Sequence, residues 1–188
     1  MSPTAKDTRE RMVEGAVRLL ATKGLQGASL GEVLEATGAP RGSIYHHFPG
    51  GKDELVAAAM QVVGDRTLTD LRALSGATPE TVTAAFLDKW RTLLLGTDFR
   101  AGCGVLAVTV AAEQGPLLDA ARAVFREWRA ALAELFVAGG AERPAAESFS
   151  TILLAATEGA VVLSRADRGI EAFETVAAQL TQQARTLG

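Results

Sequence analysis

The chain has 188 residues, 48% hydrophobic and 22% charged, a balance that excludes disorder and suits one or two small domains with a buried core. A single cysteine, Cys103, excludes an intrachain disulfide and a cysteine-based zinc site. The net charge of −3 divides unevenly: residues 1–52 hold seven Lys/Arg against five Asp/Glu, and the acid excess lies beyond them.

No apolar stretch follows Lys6, Arg9 and Arg11 in the manner of a signal peptide. The longest apolar run, Val105 to Ala112, is far short of the roughly 20 residues that span a bilayer. A cytoplasmic protein without a membrane partner is expected.

The hydrophobic pattern is helical almost throughout, with no alternating strand segment and no internal repeat. The first helix should run from about Asp7 to Lys23, where Gly24 stops it; Val13, Ala16, Val17 and Leu20 recur at spacings of three and four. The second opens on a capping box, in which Ser29 caps the amide of Glu32 and the Glu32 carboxylate reaches back. It ends at Gly38. The third is brief, about 40–47, with Pro40 preset for its first turn and Phe48-Pro49-Gly50-Gly51 closing it. A fourth begins near Lys52 and continues to about Leu74.

Thr78-Pro79-Glu80 opens the fifth helix with a cap, a proline at the first helical position and an acid in the first turn. Gly102-Cys103-Gly104 is a break before a short apolar segment ending at Ala112. Gly115-Pro116 starts another helix, which Gly139-Gly140 ends, and two more follow, about 144–165 and 168–187. The expected fold is all-α, with about nine helices.

Helices two and three, joined by a turn of three to four residues, read as a helix-turn-helix. Ile44 and Phe48 lie four apart and should pack inward, while Arg41 and Tyr45 lie four apart on another face beside Ser43. The first turn of such a recognition helix meets base edges in the major groove, where Arg41 can donate two hydrogen bonds to guanine. Gly42 lets the backbone come close. Tyr45, His46 and His47 supply donors for phosphates, and the helix N-termini around Ser29 and Lys52 attract phosphate as well. The adjacent histidines point about 100° apart, which makes them poor joint metal ligands. No metal site, cofactor site or catalytic constellation is found.

These residues resemble the tetracycline-repressor (TetR) family of transcriptional regulators. The likeness rests on Thr8-Arg9-Glu10-Arg11-Met12, on Ala16 to Gly24, on Ser29 to Gly38, and above all on Pro40-Arg41-Gly42-Ser43-Ile44-Tyr45-His46-His47-Phe48-Pro49; Lys52-Asp53-Glu54-Leu55 completes it. It implies DNA contacts at Ser29, Arg41, Gly42, Ser43, Tyr45, His46, His47 and Lys52. Gly50-Gly51 is one residue longer than the family pattern. With Gly102-Cys103-Gly104 and the Ala-rich segment after it, the extra glycine looks like the LmrA/YxaF-type branch.

The expected division is a DNA-binding domain over 5–60 and an effector-binding and dimerisation domain over 61–188. A small apolar or amphipathic effector is expected in a cavity touching Phe86, Trp90, Cys103, Leu106, Val110, Phe125 and Trp128, because few charges fall between Gly102 and Ala112. Two stripes are expected to form a homodimer interface: Phe149, Ile152, Leu153, Ala156, Ala160 and Leu163, and Phe173, Val176, Ala177 and Leu180. The opposing expectation is that both stripes face the chain's own core. The favoured function is a ligand-responsive repressor that binds a palindromic double-stranded operator as a dimer. Its rivals are a DNA-binding factor without a ligand and, more remotely, an all-α enzyme, for which the sequence holds neither a phosphate loop nor a metal triad.

Overall fold

The computed structural model describes residues 5–187, and among these there are nine α-helices, one short 3₁₀ turn and no strand. The helices are α1 (Ala5–Gly27), α2 (Leu30–Thr37), α3 (Ile44–His47), α4 (Gly51–Arg72), α5 (Pro79–Gly96), α6 (Gly104–Ala111), α7 (Pro116–Ala138), α8 (Arg143–Asp167) and α9 (Glu171–Ala184). They form two compact units, one made of the residues through Asp65 with Cys103–Val124, the other of Arg66–Gly102 with the residues from Phe125 onwards.

In the first unit α1 packs on α2 and α6. Met12, Val13, Ala16, Leu19 and Leu20 of α1 are buried, as are Val33, Ile44, Phe48, Val105 and Val108. Gly24 breaks α1 with a left-handed φ of 71°, so its last turn, through Gly27, runs in a new direction. Ser29 caps α2, accepting from the Glu32 amide at 3.2 Å. The return half of the expected capping box gives way to another partner: the Glu32 carboxylate takes the Lys23 ammonium, a charge-assisted bond stronger than one to a neutral amide.

In the second unit α5, α8 and α9 pack pairwise. Thr78 caps α5, accepting from the Thr81 amide at 3.3 Å, with Pro79 in its first turn. Its core is aromatic and aliphatic: Phe86, Leu87, Leu94, Trp128, Leu132, Phe136, Phe149, Leu153 and Phe173 are all buried. Phe136 and Phe149 join α7 to α8 with ring centroids 5.3 Å apart. Arg91 on α5 grips both carboxylate oxygens of Glu174 on α9, at 2.6 and 2.9 Å. The Ser164 hydroxyl accepts from the Phe173 amide at 3.2 Å, tying α8 to the start of α9.

α8 is long and apolar enough to cross a membrane, which the longest uninterrupted apolar run did not suggest; half of that stretch is buried against protein, as in a core helix.

Candidate nucleic-acid interface

The recognition element begins one residue later and in a tighter form than expected. Pro40 is an extended cap (φ −63°, ψ 137°) rather than the first helical residue, and Arg41–Ser43 form a 3₁₀ turn that runs into α3. Pro40 has no amide to donate, but its carbonyl takes both the amide and the hydroxyl of Ser43, at 3.0 and 2.6 Å. These two hydrogen bonds to one carbonyl close the turn.

Two side chains anchor the segment. Ile44 is 2% exposed and Phe48 not at all, and the Phe48 amide closes α3 on the Ile44 carbonyl at 2.8 Å. With positions 44 and 48 fixed inward, helical geometry turns 41, 42, 45 and 46 outward. Arg41, Gly42, Tyr45 and His46 are exposed, Tyr45 at 66%, while Ser43 and His47 are half-buried. The His46 and His47 rings meet edge to face, centroids 5.1 Å apart. A side chain added at Gly42 would meet nothing within 4 Å, so that spot on the surface is open.

Beyond Phe48 the chain turns sharply into α4. The Gly51 amide donates to the Phe48 carbonyl at 2.9 Å and Gly51 takes a φ of 71°, a conformation glycine reaches without strain. The second glycine of the pair, the additional residue noted in the sequence, thus makes the turn that starts α4. The Gly50 amide donates to a Glu54 carboxylate oxygen at 2.8 Å, and Lys52 stands half-buried in the first turn of α4. Ser29 is half-buried at the start of α2. All eight positions expected to touch DNA therefore lie in the first unit, at the start of α2, from Arg41 to the end of α3, and in the first turn of α4. One neighbour was missed from sequence: the Arg9 guanidinium of α1 lies over the Phe48 ring, 5.0 Å from its centroid. Nothing in a spacing of 39 residues announces such a pairing.

The residues expected around an effector divide between the units. Phe86, Trp90 and Trp128 are buried and Phe125 half-buried in the second unit; Phe86 meets Trp90, and Phe125 meets Trp128, edge to face at 6.5 and 5.8 Å. Cys103, Leu106 and Val110 belong to the first unit, where the buried Cys103 sulfur accepts from the Leu106 amide at 3.3 Å and caps α6. Leu106 is half-buried. Val110, expected inside a cavity, is 76% exposed, because α6 turns its buried side, Val105 and Val108, the other way. An open groove of about 250 Å³ runs between α4 and α5, lined by Thr67, Leu71, Leu74 and Phe86, and Lys89 ties α5 to Asp70 of α4 at 2.6 Å beside it.

The dimer stripes are corrected in part. Phe149, Leu153, Ala160, Phe173, Ala177 and Leu180 are at most 4% exposed within a single chain, so they have no surface left for a partner. Ala156 and Val176 are half-buried, and Ile152 and Leu163 are exposed at 42% and 53%. Val162, left out of the expected stripe, is 50% exposed beside them.

The family model "Bacterial regulatory proteins, tetR family" matches residues 12–59, and that of the "Transcriptional regulator LmrA/YxaF-like, C-terminal domain" matches 79–179. An uncharacterized HTH-type transcriptional regulator of Mycobacterium tuberculosis strain H37Rv is 35% identical over 179 residues, 92% of this chain and 91% of its own length. The HTH-type transcriptional regulator LmrA of Bacillus subtilis is 30% identical over 162 residues, 84% of this chain and 86% of its own. Among solved structures, a TetR transcriptional regulator from Legionella pneumophila superposes with a TM-score of 0.85 over 97% of each chain at 20% identity.

Proposed function

The chain belongs to the TetR family of DNA-binding transcriptional regulators, in its LmrA/YxaF-like branch, and from that premise we propose that it is a ligand-responsive repressor whose dimer binds a palindromic operator. The observation that carries the DNA-facing half is the anchored recognition element: Ile44 and Phe48 are buried, while Arg41, Tyr45 and His46 stand exposed. In this reading residues 5–60 are the DNA-binding domain and 61–188 the effector-binding and dimerisation domain. That functional division differs from the division by packing, since α6 rests on α1.

Arg41 reads base edges from the first turn, and Gly42 admits the backbone. Ser29, Ser43, Tyr45, His46, His47 and Lys52 hold phosphates and so fix the register. The dimer forms through the outward side of α8, where Ile152, Val162 and Leu163 are exposed and Ala155 and Gly159 allow close approach. Each half-site then meets one head.

The effector binds against the aromatic side chains of the second unit, Phe86 and Trp90 of α5 and Phe125 and Trp128 of α7, and is small and apolar or amphipathic. Release from DNA follows if the effector binds one conformation better than the operator-bound one. α4 is a single helix from Gly51 to Arg72, so a displacement at its far end is carried to its first turn, where Lys52 stands.

The test has two parts. Light scattering at micromolar concentration should give a dimer, and Ile152→Glu with Leu163→Glu should give a folded monomer. Gel shifts with duplexes taken from DNA flanking the chain's own gene should reveal a site with two inverted half-sites about 34–36 Å apart or more. A monomeric wild type, or binding to a single unpaired half-site, would defeat this reading while leaving family membership untouched.

A further inference from the structure

Of the seven cations in residues 1–52, Arg41 and Lys52 already belong to the interface, and Lys6 lies outside the residues whose side chains are described. Lys23 is engaged by Glu32, whose hydrogen bond raises its pKa. Arg11 and Arg18 line a surface groove whose other walls include Asp7, Glu10 and Glu14. Arg9 is different. It is exposed, no carboxylate among the described residues holds it, and its guanidinium is stacked over Phe48, 5.0 Å from the ring centroid.

Phe48 is the C-cap of α3, completely buried and hydrogen-bonded back to Ile44. A charge resting on it is fixed at the end of the recognition element rather than sweeping freely on a long side chain. A guanidinium resting over a ring still carries N–H groups that the ring does not occupy, and these suit two oxygens of a phosphate. Part of the ordering entropy of the side chain is already lost before DNA arrives, so less is lost on binding.

We propose that Arg9 is a further DNA contact, a backbone-phosphate clamp placed by Phe48 beside the groove that α3 enters. This rests on the assignment of Arg41–His47 as the groove-entering element. Arg9 carries no sequence information by itself; it fixes the height and tilt of the head on the duplex.

The experiment measures binding of the full chain to a random-sequence 30-base-pair duplex by fluorescence anisotropy across a salt series, for the wild type, Arg9→Gln, Arg9→Lys and Arg41→Ala. Removing one phosphate contact lowers the slope of log K against log salt by about 0.9 per bound head, close to an eight-fold loss at 0.1 M salt. Arg9→Gln should show that loss, and Arg9→Lys, which keeps the charge, should keep the slope. Melting temperatures and circular dichroism of the variants report whether the head is still folded. A folded Arg9→Gln whose slope equals that of the wild type overturns the proposal. So does a loss of affinity in Arg9→Gln and Arg9→Lys alike without a change of slope, since that is the signature of packing on Phe48 alone. The wider assignment has its own readout: Arg41→Ala should lose the preference for an operator over a scrambled duplex, and its failure to do so would move the groove-entering element elsewhere without touching the Arg9 slope.

Discussion

The two units use the same side-chain vocabulary in opposite ways. In the first, the residues proposed to work are polar or small and stand outside, held there by a few buried neighbours: Tyr45 is 66% exposed because Ile44 and Phe48, on either side of it, are 2% and 0% exposed. In the second, the residues first expected to work are apolar, and most are inside: Phe149 and Phe173 are 1% and 0% exposed. A polar residue on the outer side of a short, anchored helix is solvated by default, and its place in the helix-turn-helix is what assigns it a partner. An apolar residue at helical spacing is explained equally well by a core, a cavity or an interface.

The largest expected effect separates these readings for α8. Phe149→Ala removes a ring buried against Phe136, at a centroid distance of 5.3 Å, and should cost about 3–5 kcal/mol of folding stability. Leu163→Ala, on an exposed side chain, should change the stability of the folded subunit by less than about 0.5 kcal/mol while weakening the proposed dimer. Urea denaturation combined with light scattering distinguishes the two: the first variant lowers the unfolding midpoint, and the second raises the concentration at which the proposed dimer dissociates. If Phe149→Ala dissociated the protein into stable monomers, the contrast between the two units would collapse.

The helices and most of their ends were legible in the sequence because their signals are local. Ser29, Thr78, Pro79, Gly115-Pro116 and Gly139-Gly140 each act within a turn of where they stand, and the helices begin or end at them. What was not legible depends on partners far along the chain. Glu32 met Lys23 rather than its own cap, Val110 fell on the outer side of α6, and Arg9 found Phe48. On α8 the exposed side and the apolar spacing diverge: 152, 162 and 163 are exposed, whereas 153 and 160 are buried. A rotation of 100° per residue is enough to exchange a core face for a surface one.

The next effect in size concerns the scaffold behind the recognition element. A Cβ built at Gly15 of α1 would lie 2.5 Å from the Thr37 methyl of α2, so α1 and α2 approach as closely as they do only because position 15 has no side chain. Gly15→Val should therefore overpack this contact and cost about 1–3 kcal/mol, with DNA affinity falling as the head loosens. Thr37→Ser, which removes the methyl, should recover part of that loss. Thermal melts of the single and double variants give the coupling directly; strict additivity would mean that the two positions do not meet.

Within the interface, the comparison sharpens to base against phosphate. Arg41→Ala should reduce discrimination between an operator and a scrambled site by about 1–3 kcal/mol. Lys52→Ala should weaken both about equally and lower the salt slope by about 0.9 per head. Competition gel shifts at two salt concentrations separate the outcomes. Equal loss on both duplexes for Arg41→Ala would reassign it from reading bases to holding backbone.

The smallest expected effect is the most diagnostic of the second unit, because it concerns a polar contact where apolar packing dominates. Hydrogen bonds from Arg91 hold the Glu174 carboxyl below its usual range, and the Arg91 pKa is raised in turn, chiefly by the same hydrogen bond to Glu174. Arg91 also lies over the Phe173 ring, 5.7 Å from its centroid, so the pair bridges α5 and α9 at the edge of the core. A carboxyl whose folded pKa lies below its unfolded value of about 4.3 contributes stability above that value and loses it as pH falls through the folded pKa. Arg91 stays charged over that interval and adds no titration of its own. The Glu174 side chain is 45% exposed, so solvent screening should keep the contribution within about 1 kcal/mol. Glu174→Gln should therefore lower the melting temperature slightly at pH 7, and the difference from the wild type should shrink as pH falls below about 4. Melting curves from pH 7 to 3 measure it, with Glu134→Gln as a comparison on an exposed bidentate pair with Arg143. A difference that stayed constant across that range would mean that Glu174 acts through packing rather than charge, and α5 and α9 would then be joined by apolar contact alone.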